Sequence, residues 1–109
     1  LVLVDFTTSS SAEIVAGAIQ DSAAGKVYGT RTYGRGGIQK LIPAGDNYVM
    51  LTTQKYLTPK GRVILNNGIE PSIPFKDDVK AVRGEENKDE DRMLDKAIEY
   101  MRHPEEKAA

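Results

Sequence analysis

The sequence predicts an α/β fold, and three observations carry that prediction. Leu1 to Phe6 is a short aliphatic and β-branched run, long enough for a buried strand and too short for a helix. Ile14, Val15, Ala18 and Ile19 then recur at helical spacing, with Gln20 and Asp21 closing the helix near Ala23-Ala24-Gly25. Lys26 to Gly29 returns to strand composition. Strand, helix, strand is the order of a parallel pair joined by a crossover helix.

The later elements follow from local chemistry. Thr7 to Ser11 is a hydroxyl-rich turn. After the glycines at 34, 36 and 37, Ile38 to Pro43 reads as a strand, Ala44-Gly45-Asp46-Asn47 as a turn, and Tyr48 to Tyr56 as the return strand of a hairpin. Thr58-Pro59-Lys60-Gly61 and Asn66-Asn67-Gly68 are turns on either side of a short predicted strand, Arg62 to Leu65. Pro71 and Pro74 keep Ile69 to Pro74 extended, because neither fits inside a helix. The charged stretch 76–91 is a linker or a helix start. Met93, Leu94, Ala97, Ile98 and Met101 then form one apolar face of a terminal helix over 92–109, expected to dock on the parent domain and to end in a disordered tail.

Composition narrows the function. The 109 residues suffice for one small domain, and the formal net charge of −1 is not that of a dedicated nucleic-acid binder. Apolar residues are 39 %, below the roughly 45–50 % typical of globular domains, so the core is modest. With no cysteine there is no disulfide framework, thiolate nucleophile or thiolate metal site, and neither an exported nor a cytosolic location is excluded. No metal-ligand cluster or phosphate loop is recognisable. No apolar run approaches the roughly 18 residues of a membrane span. The chain opens in mid-strand on Leu1-Val2-Leu3-Val4, without an initiator Met or a basic leader, and so reads as a fragment of something longer.

Ser10 stands between the first strand and the first helix. A serine hydroxyl needs a nearby base to become a nucleophile and backbone N–H donors for the oxyanion it creates. A sharp strand-to-helix turn exposes the hydroxyl and leaves the first helical N–H groups unpaired. The same residues fit a plain capping box, Ser10-Ser11-Ala12-Glu13, worth about 1 kcal/mol without any catalysis. Ser9 and Ser11 are rivals for either role, so local pattern leaves cap and nucleophile both open.

Four segments in order resemble the C-terminal processing, or tail-specific, serine peptidases of the S41 type. Thr8 to Asp21 is similar to that family's S-A-S-A-S-E-I-x-A-x-A-x-Q-D stretch, whose middle serine, the nucleophile, falls on Ser10. Tyr28 to Gln39 is similar to V-G-E-x-T-F-G-K-G-x-V-Q. Tyr56 to Arg62 and Gly68 to Ser72 are similar to Y-x-T-P-x-G-R and G-I-x-P-D. The resemblance runs from about Leu1 to Ile73. It implies a fragment of a spiral ββα, crotonase/ClpP-like core over 1–75, with a β-hairpin and a C-terminal helix. It also implies an endopeptidase that cuts C-terminal tails of exported proteins through a serine acyl-enzyme, without a cofactor. The N–H of Ser11 would be one oxyanion donor, Gln39 would orient the base, and the second donor and a PDZ-like peptide-binding module would lie upstream. Location would be periplasmic or otherwise exported, with membrane association only through upstream sequence and no stable insertion of this segment.

Arg35 is where the chain departs from the family. It lies 25 residues after Ser10, the family's serine-to-lysine offset, but the base lysine is replaced by arginine. A buried lysine can shed its proton, whereas arginine stays charged at any working pH. Arg35 can stabilise an oxyanion or bind a peptide carboxylate, but it does not take a proton from Ser10. The parent is then an inactive peptide-binding relative, an enzyme with a base from elsewhere, or a protein engineered to trap substrate. Lys26 and Lys40 match no family base, and His103, the sole histidine, sits in a polar tail. A third class of reading is RNA binding through Arg31-Thr32-Tyr33-Gly34-Arg35-Gly36-Gly37, by stacking on bases. An exposed sheet in so small a chain predicts dimerisation or strand swapping as a homo-oligomer.

Overall fold

The computed structural model describes residues 1–76 and 91–103. Strand β1 (Val2–Val4) leads into helix α1 (Ser11–Asp21) and then strand β2 (Val27–Gly29), which pairs parallel with β1. The predicted strand–helix–strand unit is therefore present, and the chain is α/β. The long hairpin follows as β3 (Gly37–Ala44) and β4 (Asn47–Lys55), antiparallel, with a one-residue irregularity between Ile38 and Gln39. Strand β5 (Ile73–Pro74) pairs parallel with β2, so the small sheet has the order β1-β2-β5. Helix α2 (Arg92–Arg102) closes the described chain.

The core is small. Val4, Ala16 and Val27 pack where α1 crosses β1 and β2, while Ile64 and Ile69 are fully buried under the other side of α1. Gly17 makes that second contact close, since a Cβ there would sit 2.8 Å from the Thr58 methyl and 3.0 Å from Ile69. Gly29 is more constrained. Its φ is +137°, and a Cβ would fall 1.8 Å from the Val4 carbonyl oxygen.

Two sequence expectations are corrected. Arg62 to Leu65 is not a strand; one bridge joins Val63 to Leu57, and the Leu65–Asn67 turn begins at once. Helix α1 ends at Asp21, with Gln20 and Asp21 closing it as expected, and Ala23 at φ 56° turns the chain away while Ala24 N–H bonds to the Ile19 carbonyl. Helix α2 meets the sheet through Tyr100, whose ring lies 6.1 Å from Tyr28 and whose hydroxyl accepts from Lys26 Nζ at 3.0 Å. Of the predicted apolar face only Ala97 is buried, and Leu94, Ile98 and Met101 are exposed. The predicted linker 76–91 lies largely outside the described residues, as does the tail beyond His103. No described helix is long and apolar enough to cross a membrane.

The C-terminal end of α1 is tied down by Asp21. Its carboxylate accepts from Lys60 N–H at 2.9 Å and pairs with the Arg62 guanidinium. The Thr58 hydroxyl, followed by Lys60 N–H and Arg62, holds the Asp21 pKa below the ordinary carboxylate value against the opposing cost of burial. A depressed folded-state pKa gives stability that is full above the unfolded value and is lost as pH falls through the folded one.

Two outcomes follow for the full-length protein in urea titrations. Gly29→Ala lowers stability by about 3 kcal/mol through the forced clash and the positive φ. Asp21→Asn flattens the fall in stability between about pH 4 and lower pH, because the titrating group is gone.

Candidate functional site

The turn between β1 and α1 is built by Asp5. Its Oδ1 accepts the Thr7 N–H at 2.9 Å, the Thr7 hydroxyl at 2.7 Å and the Thr8 N–H at 3.0 Å, while Asp5 N–H donates back to Thr8 Oγ1 at 3.0 Å. This Asx-type knot turns the chain immediately before Ser10. Ser10 itself is exposed and has φ 58° and ψ −123°, a region that non-glycine residues rarely occupy. Ser11 and Ala12 are the first two residues of α1, and a helix supplies their N–H groups with no internal acceptor.

The capping-box arrangement at this turn is present. Its carboxylate arm is closed, with Ser10 N–H donating to Glu13 Oε2 at 2.9 Å. Its other arm brings the Ser10 side chain to the Glu13 N–H, which also bonds to the Ser10 carbonyl at 3.0 Å. Ser10 thus occupies the N-cap position of α1.

Glu13 does far more than close a box. It is fully buried, at 0 % exposure. Oε1 accepts the Thr32 hydroxyl at 2.6 Å and the Gly34 N–H at 2.6 Å, and Oε2 accepts the Arg35 N–H at 2.8 Å beside that of Ser10. Thr32 Oγ1 accepts in turn from Ile69 N–H at 2.7 Å. Ser10 and Arg35, 25 residues apart in sequence, therefore share one carboxylate oxygen through their backbones. A second tie runs from Tyr33 N–H to the Thr8 carbonyl at 3.0 Å.

The glycines around Arg35 allow this approach. A Cβ on Gly36 would lie 2.7 Å from Ile64 Cβ, and Gly34, at φ +92°, has the backbone of Asn66 and Gly68 just beyond it. The Arg35 guanidinium is exposed and sits over the Tyr33 ring, 5.2 Å from its centroid. Arg35 also lines a pocket of about 370 Å³ with Gly37, Gln39, Thr52 and Leu65. A second cavity, about 350 Å³ and mostly apolar, lies between β1 and α1 beside Ser11.

Of the residues singled out from sequence, Ser10 and Arg35 are brought together at the backbone, Ser11 stands at the head of α1, and Gln39 shares the Arg35 pocket. Lys26 is engaged with Tyr100 at the α2 side, and Lys40 lies on the opposite face of the hairpin from its neighbour Gln39. His103 caps α2 and is exposed. Arg31, at the start of the RNA-binding stretch, bonds to the Asn66 and Asn67 carbonyls and pairs with Glu70, while Thr32, Gly34 and Gly36 are buried. The buried Thr32, Gly34 and Gly36 make this stretch a packed part of the fold and not an open arm. Sequence reasoning missed the reach of Glu13, together with Thr32 and Thr52. The only sequence signal was the capping box, which predicts a local bond and not a long-range one. Among the described residues no group of three His, Cys, Asp or Glu is placed to hold a metal ion.

The comparisons with known proteins give the family. The sequence model of peptidase family S41 matches residues 1–75. This chain belongs to peptidase family S41. It is similar to a carboxy-terminal-processing protease of Bartonella bacilliformis, 43 % identical over 74 residues, covering 67 % of this chain and 17 % of the relative. The carboxy-terminal processing protease CtpB of Bacillus subtilis is 40 % identical over 76 residues, 69 % of this chain and 16 % of the relative. Among solved structures, the photosystem II D1 C-terminal processing protease superposes with a TM-score of 0.65 at 38 % identity, over 70 % of this chain and 20 % of that one. Mature CPAF, solved with lactacystin, gives 0.57 at 26 % identity, over 66 % and 15 %. The S41 chain described here thus spans a fifth or less of these relatives' lengths.

Glu13→Gln places an amide donor where four donors converge. The expected result is a loss of about 3 kcal/mol in the full-length S41 protein, read from urea denaturation midpoints. The Tyr33 to Gly36 segment is expected to lose amide protection in hydrogen exchange, since it is the part Glu13 holds.

Proposed function

We propose that this chain carries the nucleophile side of a serine peptidase active site that cuts C-terminal tails of exported proteins. The observation that carries this reading is the backbone of Ser10. A strained, exposed serine at a strand-to-helix elbow fits a nucleophile better than a cap alone. In the step itself, Ser10 Oγ adds to the scissile carbonyl and loses its proton to a base. The Ser11 N–H would receive the oxyanion. Collapse breaks the C–N bond, the protonated amine leaves, and water then frees the carboxylate from the Ser10 ester. Gln39 would orient polar groups in the Arg35 pocket. Arg35 holds its proton throughout, so this reading takes the base from another part of the protein.

The spiral ββα core and an exported location belong to the same proposal. They are supported by the S41 match and by relatives named as chloroplastic processing peptidases from Tetradesmus obliquus and Arabidopsis thaliana. The division into a partial core over 1–75, a charged linker over 76–91 and a terminal helix and tail over 92–109 is proposed with it. So is self-association through the open sheet edge at β1.

A second reading, peptide binding without turnover, is favoured by one observation. The side chain at the base position is a guanidinium stacked on Tyr33. The test is hydrolysis of an unstructured peptide by the full-length protein, its Ser10→Ala variant and its Arg35→Lys variant. Cleavage abolished by Ser10→Ala supports the peptidase. No cleavage by the unchanged protein, with a gain of at least about 100-fold in Arg35→Lys, supports the binding relative, that being the scale of general-base catalysis.

A further inference from the structure

The structure assigns a phosphate-binding site to the cavity between strands β2 and β5 and helix α2. None of its walls comes from the Ser10 turn, and the inference does not rest on the peptidase reading. The ligand class is the phosphate group, as the free ion or as a small monoester.

Three observations converge. First, the polar side chains of the wall are hydrogen-bond donors. The cavity holds about 380 Å³, with Lys26, Tyr28 and Ser72 on the sheet side and Lys96 and Tyr100 on α2. The Tyr100 hydroxyl accepts from Lys26 Nζ at 3.0 Å, and the Ser72 hydroxyl accepts from Gln20 Nε2 at 3.0 Å. The protons of both hydroxyls are then left to donate, and neither meets an acceptor among the described residues. Burial pushes the Tyr28 phenol up, which keeps it protonated and a donor as well.

Second, the charges at the cavity do not balance. Lys26 pairs with no carboxylate among the described residues; its ammonium meets the Tyr100 hydroxyl and lies 5.7 Å from the centroid of that ring. Lys96 meets Glu99 at 3.6 Å, but Glu99 is not part of the wall. Two ammonium groups from different elements thus line one cavity with no carboxylate in it. Like charges brought together repel, and a dianion between them reverses the sign of that interaction. A phosphate monoester carries about −1.5 to −2 charges at pH 7 and three strong acceptor oxygens, which suits two ammoniums and three hydroxyls better than a carboxylate does. Lysine binds phosphate as a point charge, so no guanidinium fork is required.

Third, the cavity has an apolar side for the rest of a ligand. The Tyr28 and Tyr100 rings lie 6.1 Å apart, tilted by 37°, and Ile73 and Pro74 adjoin them. The organic body of a monoester would rest there while its phosphate meets the lysines.

The consequence is local order. Helix α2 meets the sheet through Tyr100, so an anion held by both Lys26 and Lys96 adds a second tie between the two. A ligand that binds only the docked helix shifts the docking equilibrium by mass action.

The experiment is isothermal titration calorimetry on the full-length protein at fixed ionic strength, with inorganic phosphate, phenyl phosphate and benzoate as probes. The two phosphates are expected to bind, and benzoate to bind at least about tenfold more weakly than phenyl phosphate. Lys26→Gln and Lys96→Gln each weaken phosphate binding by at least about tenfold, the scale of a lost charge-assisted bond. Lys40→Gln, on the exposed hairpin, leaves it unchanged. Amide exchange across Arg92–Arg102 slows when phosphate is added. The Lys96 side chain is 58 % exposed, so Lys96→Gln keeps the test valid if Lys26→Gln disturbs the Tyr100 contact, and urea midpoints without phosphate check that each variant folds. Tighter binding of phenyl phosphate than of inorganic phosphate supports a monoester as the source, and equal binding supports the free ion; either upholds the site. No binding of either phosphate, affinity unchanged in the Lys26 and Lys96 variants, or unchanged exchange in α2 overturns it. Benzoate binding as tightly as phenyl phosphate assigns the cavity to carboxylates and overturns the phosphate.

Discussion

One buried carboxylate decides the arrangement of this chain. Glu13 has four donors on its two oxygens, and they come from three places in the sequence: the Ser10 turn, Thr32, and the Gly34–Arg35 turn. Hydrogen bonds to a charged group in a desolvated setting are stronger than those between neutral groups, and leaving any of these donors unpaired would cost the full desolvation penalty. The serine elbow, the arginine turn and the extended segment at Ile69 therefore form together. Remove the carboxylate and the two halves of the candidate site lose their shortest connection.

The remaining signature residues serve the same assembly from the far end of α1. Asp21 holds the Thr58-to-Arg62 turn, and Gln20 donates to the Glu70 carbonyl at 2.8 Å and to Ser72 Oγ at 3.0 Å. The four sequence segments that resemble the S41 family are thus hydrogen-bond partners of one another. Helix α1 is the common element, with Glu13 near its start and Gln20 and Asp21 at its end. Residues that look like separate motifs along the chain are one network in space. Only a few, Ser10, Ser11, Arg35 and Gln39, belong to the proposed site, and the others hold the segments that carry them.

Arg35 alters the chemistry of the site without altering its frame. Glu13 binds the backbone of residue 35, not its side chain, so the turn accepts either basic residue. Lysine there can be neutralised by burial and act as a base. Arginine keeps its charge, lies on Tyr33 and presents a planar cation to the pocket. The same scaffold then presents a permanent cation at that position. That contrast links the two functional readings to a single side chain.

Much of this was legible in the sequence because it is local. Apolar periodicity set α1, β1 and β2, turn chemistry set the hairpin, and two prolines kept Ile69 to Pro74 extended. The place of Ser10 between β1 and α1 could be read as well, since it depends on the order of two local elements. Other features depended on distance in space. Arg62 to Leu65 has strand composition but gains only a single bridge, because the turn at Leu65–Asn67 follows at once. The apolar face of α2 suggested docking through Leu94, Ile98 and Met101, yet Tyr100 makes the contact because Tyr28 offers it an aromatic partner. Glu13 read as half of a capping box, a four-residue interaction, and only the tertiary structure joined it to Thr32, Gly34 and Arg35. The sequence by itself determined which residues turn, which alternate and which carry charge, because those properties need no partner. The tertiary structure alone decided which donors reached the Glu13 carboxylate, because burial and long-range hydrogen bonding exist only once the segments have come together.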